Sequence, residues 1–264
     1  MTTQFTYAEI KAAQQRISPY IRRTPQFELE LDTSLRVSAK LENLQLSGSF
    51  KIRGALNTVL SLSEAELKRG LVTASGGNHG MGVATAGALT RTPPTIYLPE
   101  NTPQSKIDKL RKVATEVVVQ GAVWDDANAL ALAAAETGRC YIHPFADVRV
   151  LAGQGTLGME ILQDAPDLDV LLVAIGGGGL ISGVATKAGT LAPRRSADIN
   201  FRIISELVDD IVLVTDPEMK SAAEWLWENV GLGVELSAAA AVAALRAGSF
   251  QPDPDANVGV IICG

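Results

Sequence analysis

Cysteine, histidine, aromatic residues and excess positive charge are all scarce in this 264-residue chain. The two cysteines, Cys140 and Cys263, have no CxxC spacing, which excludes a disulfide framework and a cysteine-built zinc site. Aromatics are 5% against 47% hydrophobic residues, so the core is expected to be aliphatic. With 23 Lys plus Arg against 29 Asp plus Glu, the net charge of -6 suits neither nucleic acid nor an anionic membrane surface. The uncharged, strongly apolar run at residues 170–186 is broken by four consecutive glycines and reads as strand, loop and helix rather than a membrane span. A signal-peptide pattern is missing from the first ten residues, where Thr6 and Glu9 instead form a capping box. These absences point to a cytoplasmic protein.

What is present fits an α/β enzyme. Gly is frequent at 24 residues, and the 20% charged residues and mean hydropathy of +0.16 place the chain far from the disordered range. Its length allows one large domain or two ordinary ones. A helix is expected over 7–17 and a strand over 37–41. Short apolar runs at 71–74, 95–98, 116–119, 140–142 and 170–175 then alternate with helical patterns at 79–89, 105–114, 124–136 and 153–163. That alternation implies parallel sheets covered by helices. Asp216-Pro217 reads as an N-cap with Pro at the first helical position, opening a helix to about residue 229. An Ala-rich helix over 237–247 and a buried strand over 258–262 follow. One place breaks the rhythm: helical patterns begin near Leu180 and near Ile199 with no convincing strand between them.

Three glycine-marked loops carry the chemistry. Gly176, Gly177, Gly178 and Gly179 lie between a strand and a helix, where bare backbone and a helix N-terminus make a phosphate cradle. A dinucleotide fingerprint fails, because the sixth position counted from Gly176 or Gly177 is Ile181 or Ser182. A P-loop ending at Gly183 fails too, since Val184 stands where Lys is required. The second loop, Ser75-Gly76-Gly77-Asn78-His79-Gly80, offers side-chain donors suited to a carboxylate, although capping by Asn78 alone explains it as well. A lone His is more often packed than basic, so His79 is expected to support the loop from behind. In the third loop Lys51 sits between Phe50 and Ile52, with Arg53 nearby. Desolvation and the neighbouring charge would both favour its free amine, making Lys51 a Schiff-base candidate.

With these motifs on the page, the sequence resembles the fold type II pyridoxal-phosphate-dependent enzymes of the threonine dehydratase and serine racemase group. The resemblance runs from about Ile17 to Gly264. It rests on SGSFKIRGA from Ser47, SGGNHG from Ser75, AGQGT from Ala152 and GGGGL from Gly176, in the family's order. It implies a tryptophan synthase β-like α/β fold of two lobes with parallel-rich sheets. The large cofactor-binding domain would comprise residues 1–52 and 147–264, and the small domain 53–146. Lys51 would hold the pyridoxal 5'-phosphate aldehyde, with Phe50, Asn78, Gly176 to Gly179, Leu180 and Cys263 around the cofactor. Ser75, Gly77, Asn78, His79 and Gln154 would face an amino-acid substrate. The implied reaction is dehydration and deamination of L-threonine, L-serine or a similar β-hydroxy amino acid, in a homo-oligomer, dimer or tetramer. Cys263 stands where relatives often have Ser facing the ring nitrogen, and a thiol does not keep that nitrogen protonated.

Two departures qualify the resemblance. Racemising members carry a Ser two positions before the loop Asn, where this chain has Gly76, so racemisation ranks below dehydration; amino-acid racemase and hydroxyaspartate dehydratase are the alternatives among enzymes. After the tetraglycine helix, Ala188-Gly189-Thr190 runs almost straight into Leu191, so one strand-helix unit is expected to be missing. The acidic residues that bind a divalent metal in some relatives follow that strand, so no metal site is expected. A non-catalytic cofactor binder is the rival reading that such a deletion raises.

Overall fold

The computed structural model describes residues 5–31, 35–113, 116–188 and 196–264, with side chains omitted at 187–188 and 196–198. Its helices are α1 (Tyr7–Ile17), α2 (Lys51–Leu60), α3 (Glu64–Arg69), α4 (Asn78–Thr90), α5 (Gln104–Arg111), α6 (Trp124–Glu136), α7 (Val148–Asp164), α8 (Gly179–Ala188), α9 (Ser196–Leu207), α10 (Asp216–Trp225) and α11 (Leu236–Arg246). The strands are β1 (Gln26–Leu29), β2 (Arg36–Leu41), β3 (Leu71–Ala74), β4 (Pro94–Leu98), β5 (Glu116–Val119), β6 (Cys140–Tyr141), β7 (Val170–Leu172) and β8 (Asn257–Ile262). They form two four-stranded sheets, ordered β1-β2-β8-β7 and β5-β4-β3-β6. Among the described residues only the β1-β2 pair is antiparallel. Parallel strands buried on both faces need unbroken apolar sequence, which Val258, Val260, Ile261 and Ile262 supply in β8.

The helix α7 joins the two halves. At Gly153 an added Cβ would run into the Arg53 carbonyl, and at Gly155 it would lie 2.8 Å from the Gly183 carbonyl. The AGQGT run therefore brings α2 and α8 into close contact with α7, and its glycines are packing requirements. At the N-terminus of α1, Thr6 accepts from Ala8 while the Glu9 carboxylate takes the Thr6 N–H, forming the capping box read from the sequence.

Several boundaries differ from the sequence expectation. The helix α7 starts at Val148, five residues before 153, because Asp147 caps it by accepting from the Arg149 N–H. Thr215, not Asp216, is the N-cap of α10, with Glu218 completing a capping box. The strand β7 ends at Leu172, three residues short of the apolar run. The strand β1 and the six-residue α3 were not anticipated. Helices do begin at Gly179 and Ser196 on either side of the break in rhythm, but the junction at 189–195, and with it the expected deletion and lost metal ligands, lies outside the described residues.

Candidate active site

Lys51 is the first residue of α2, and its Nζ donates to the Pro144 carbonyl at 2.9 Å. Burial lowers its pKa from 10.5 to about 8, partly opposed by the nearby Cys263. The Phe50 ring lies 5.1 Å from Nζ, and Ile52 is fully buried beside it. The charge of Arg53 is not the cause expected from sequence. Its guanidinium faces away into a buried cluster, bonded through Nε and Nη2 to Glu42 at 2.7 and 2.8 Å. It also reaches Glu160 through Nη1 and Nη2 at 2.8 and 2.9 Å.

A cavity of about 1010 Å³ opens beside Lys51. Phe50, Lys51, Asn78, Gly176, Gly177, Gly178, Gly179, Leu180 and Cys263 all line it, so the whole cofactor set read from sequence converges on one space. From there the cavity continues along β7 to the extended segment 211–214 and Phe250. Cys263 follows β8, and its carbonyl accepts from the Phe50 N–H at 3.2 Å, which ties the end of the sheet to the start of α2. Burial pushes its thiol up to about 11, so it stays protonated at neutral pH.

Three of the four glycines of the tetraglycine loop have an identifiable reason. An added Cβ at Gly177 or Gly179 would lie 2.5 or 2.9 Å from Phe145, while Gly178 has φ +80°. Gly176 faces open space. The helix α8 starts at Gly179, so its free N–H groups and positive dipole end lie at this loop. A lysine of lowered pKa, a neutral thiol, an amide and a run of glycines at a helix N-terminus around one cavity fit an aromatic aldehyde carrying a phosphate.

The substrate set is more dispersed. Asn78 opens α4, and its Nδ2 donates to the Glu235 carboxylate at 2.8 Å. Ser75 Oγ accepts from the Gly77 N–H at 3.3 Å, which braces the loop internally. The imidazole of His79 is buried, with Nε2 3.0 Å from the Ile142 carbonyl and 3.1 Å from Thr73 Oγ1. Burial lowers its pKa to about 3, so it is neutral and supports the loop from behind. Gln154 is buried on α7 against Gly54, with its Oε1 unpartnered. None of Ser75, Gly77, His79 or Gln154 lines the cavity.

Sequence reading missed Glu235, Asn200 and the turn at 143–146. Glu235 lies 157 residues from Asn78, beyond any local pattern. The signal for the turn was the HPF triplet itself. His143 Nδ1 accepts from the N–H groups of Phe145 and Ala146 at 3.1 and 2.8 Å, which curls the chain so that the Pro144 carbonyl meets Lys51.

The sequence matches the family described as pyridoxal-phosphate dependent enzyme over residues 17–197 and 186–264. The chain belongs to that family, and its fold and cofactor are those of fold type II pyridoxal-phosphate enzymes. Among curated relatives, it is 37% identical to an L-threonine ammonia-lyase of Thermotoga maritima, with 91% of this chain and 71% of the relative covered. It is also 32% identical to a serine racemase of Arabidopsis thaliana, covering 97% and 91% of the two chains. The structure superposes on maize serine racemase with a TM-score of 0.90 at 28% identity, covering 98% of this chain and 93% of that one. The processed threonine deaminase isoform 2 of Solanum lycopersicum also gives a TM-score of 0.90, at 29% identity over 98% of this chain and 84% of the other.

Proposed function

We propose that the chain is an ammonia-lyase that converts L-threonine, L-serine or a similar β-hydroxy amino acid to a 2-oxo acid and ammonia. The observation that carries this reading is the desolvated Lys51 amine lining one cavity with the tetraglycine loop. The threonine ammonia-lyases among the relatives support it. Pyridoxal phosphate, when bound, supplies a ring that spreads the negative charge left at Cα. Lys51 Nζ accepts the Cα proton, a task that a lysine held near pKa 8 performs close to neutral pH. Loss of the β-hydroxyl as water and hydrolysis of the remaining enamine nitrogen then give the oxo acid and ammonia. The tetraglycine loop and Phe145 would hold the phosphate, Cys263 would offer a neutral thiol to the ring nitrogen, and Asn78, oriented by Glu235, would hydrogen-bond the ring hydroxyl. Ser75, Gly77, His79 and Gln154 shape the carboxylate side through backbone and packing.

The two-lobe division at 52/53 and 146/147 is part of the same reading, supported by the two separate sheets. A cytoplasmic location is supported by two free cysteines. A homo-oligomer is supported by the exposed apolar side chains Phe201 and Leu213. Among the described residues no helix is long and apolar enough to cross a membrane. The expected deletion is supported by the alignment with the T. maritima enzyme, whose 283 positions take in only 91% of the 264 residues here.

Racemisation is the second reading, favoured by the serine racemases among the relatives and opposed by the absent side chain at Gly76. Incubation with pyridoxal phosphate followed by L-threonine and L-serine tests all three readings. A visible cofactor band and oxo-acid release are expected. D-serine formation matching pyruvate formation would favour the racemase, and a cofactor band without turnover would leave only a binder.

A further inference from the structure

Asn200 lies on α9, outside every motif that the site reading used. It is buried, and its Nδ2 donates to two carbonyls at once, Phe145 at 3.0 Å and Gly177 at 2.9 Å. Two acceptors on one side fix the amide orientation, because Oδ1 there would face oxygen. The Oδ1 is consequently left buried without a partner. A buried polar atom left unmet is costly, so this side chain is held in place by what its amide donates to. Its Cβ also lies 3.1 Å from where a Cβ on Gly178 would sit. Ile199 and Ile203 on the same helix are buried with Phe5, Ile10 and Ala185, which anchors α9 from behind.

We propose that Asn200 is a positioning residue that clips the 143–146 turn onto the tetraglycine loop and thereby sets the shape of the phosphate cradle. The inference rests on the cofactor reading above and deepens it. The turn has a second tether, the Lys51 bond to the Pro144 carbonyl. That tether is released whenever Nζ is engaged in chemistry, whereas the Asn200 bond involves no reacting atom. Asn200 is therefore the contact that keeps Phe145 against Gly177 and Gly179 while Lys51 works. The binding partner it serves is the phosphate group, not the pyridine ring.

The near-isosteric Asn200→Asp replaces the double donor by acceptors facing two carbonyls, and Asn200→Ala removes the donor with no added charge. Dissociation constants for pyridoxal phosphate and for pyridoxal, which lacks the phosphate, are measured by equilibrium dialysis on wild type and both variants. The thermal midpoint of each apoprotein is recorded alongside. Expected is a loss of pyridoxal phosphate affinity of about tenfold in Asn200→Asp with pyridoxal affinity within twofold of wild type, while the apoprotein midpoint falls in both variants, and further in Asn200→Asp, which buries a carboxylate against two carbonyls. Should Asn200→Asp not fold, Asn200→Ala is expected to give the same selective loss, somewhat smaller. Retention of the wild-type preference for the phosphorylated form in the variants would overturn the role of Asn200 and leave the cradle intact. So would an equal loss for both ligands, which marks a general packing defect. A wild type that holds pyridoxal as tightly as pyridoxal phosphate would instead overturn the cradle itself, and the inference with it.

Discussion

Two residues apart at the start of α2, the half-buried Lys51 and the fully buried Arg53 are both desolvated cations, and they meet different fates. Arg53 spends all five N–H donors: two on Glu42, two on Glu160 and one on Thr156 Oγ1. Lys40 joins the cluster, bonding Glu160 at 3.2 Å and Asp164 at 2.9 Å. The charge of Arg53 is thus stabilised by carboxylates, and its pKa is raised. Lys51 has a single neutral acceptor, the Pro144 carbonyl, and no carboxylate bonded to it. Its desolvation is only partly offset, by Cys263, so the proton is held weakly. Burial alone does not make a reactive amine, since the same helix turn holds one cation inert and one poised. The difference lies in where the carboxylates are.

The sharpest break in that comparison is Lys51→Ala. It should abolish the visible cofactor band and lower oxo-acid release by about 10⁴-fold or more, because both cofactor attachment and proton transfer are lost. Apoprotein stability should not fall, since no charge loses a partner. A band of wild-type intensity in the variant would sink the assignment. Arg53→Met should do the reverse. It leaves Glu42 and Glu160 facing each other without their shared cation, and should cost about 3–5 kcal/mol in denaturant unfolding. A loss under about 1 kcal/mol would show that the cluster does not hold its charges as the geometry implies.

A third expectation uses pH. With a folded pKa near 8 against 10.5 for an ordinary lysine, the rate at which apoprotein captures pyridoxal phosphate should climb through pH 8 and level above it. An unshifted lysine would still be climbing at pH 10. Linkage gives a matching sign: between pH 8 and 10.5 the unfolded chain binds the extra proton, so apoprotein stability gains a rising contribution with pH there. Lys51→Met should remove that contribution. A capture profile that is flat through pH 8 would contradict the desolvation argument.

The Lys51 side of this comparison was legible in the sequence and the Arg53 side was not. Lys51 between Phe50 and Ile52, and the glycine runs after strands, are local patterns with local causes. The carboxylates of Glu42 and Glu160 stand 11 and 107 residues from Arg53, so nothing in SGSFKIRGA reveals that its charge is cancelled. The AGQGT run was visible as a motif, yet its reason, close packing of α7 on α2 and α8, needs the fold. Similarly, Phe145 explains two of the four loop glycines only once the turn at 143–146 is placed against them. Strands β3, β4 and β5 came close to their apolar runs, while β1 was hidden by its alternating Gln26 and Glu28 on a half-exposed edge.

The smallest expected effect concerns Gly76→Ser, and it asks whether proton transfer can be shared beyond Lys51. Gly76 sits in the loop before α4, and a Cβ there would lie 3.0 Å from Thr102 Cγ2 and 3.4 Å from Leu98 Cδ2. Those are ends of side chains, so a shift of a few tenths of an ångström accommodates the serine, at a cost of about 1 kcal/mol or less. The Thr102 Oγ1 lies 3.6 Å from the same point, close enough to steer the new hydroxyl. By the resemblance to racemising members of the family, which carry Ser at this position, Gly76→Ser should produce D-serine from L-serine at a low rate while keeping most of its dehydration. Chiral chromatography of the products reads the outcome. If no D-serine forms in a variant that folds and dehydrates normally, the missing side chain at Gly76 is not what disfavours racemisation, and the discrimination must lie in how the substrate is held against Lys51.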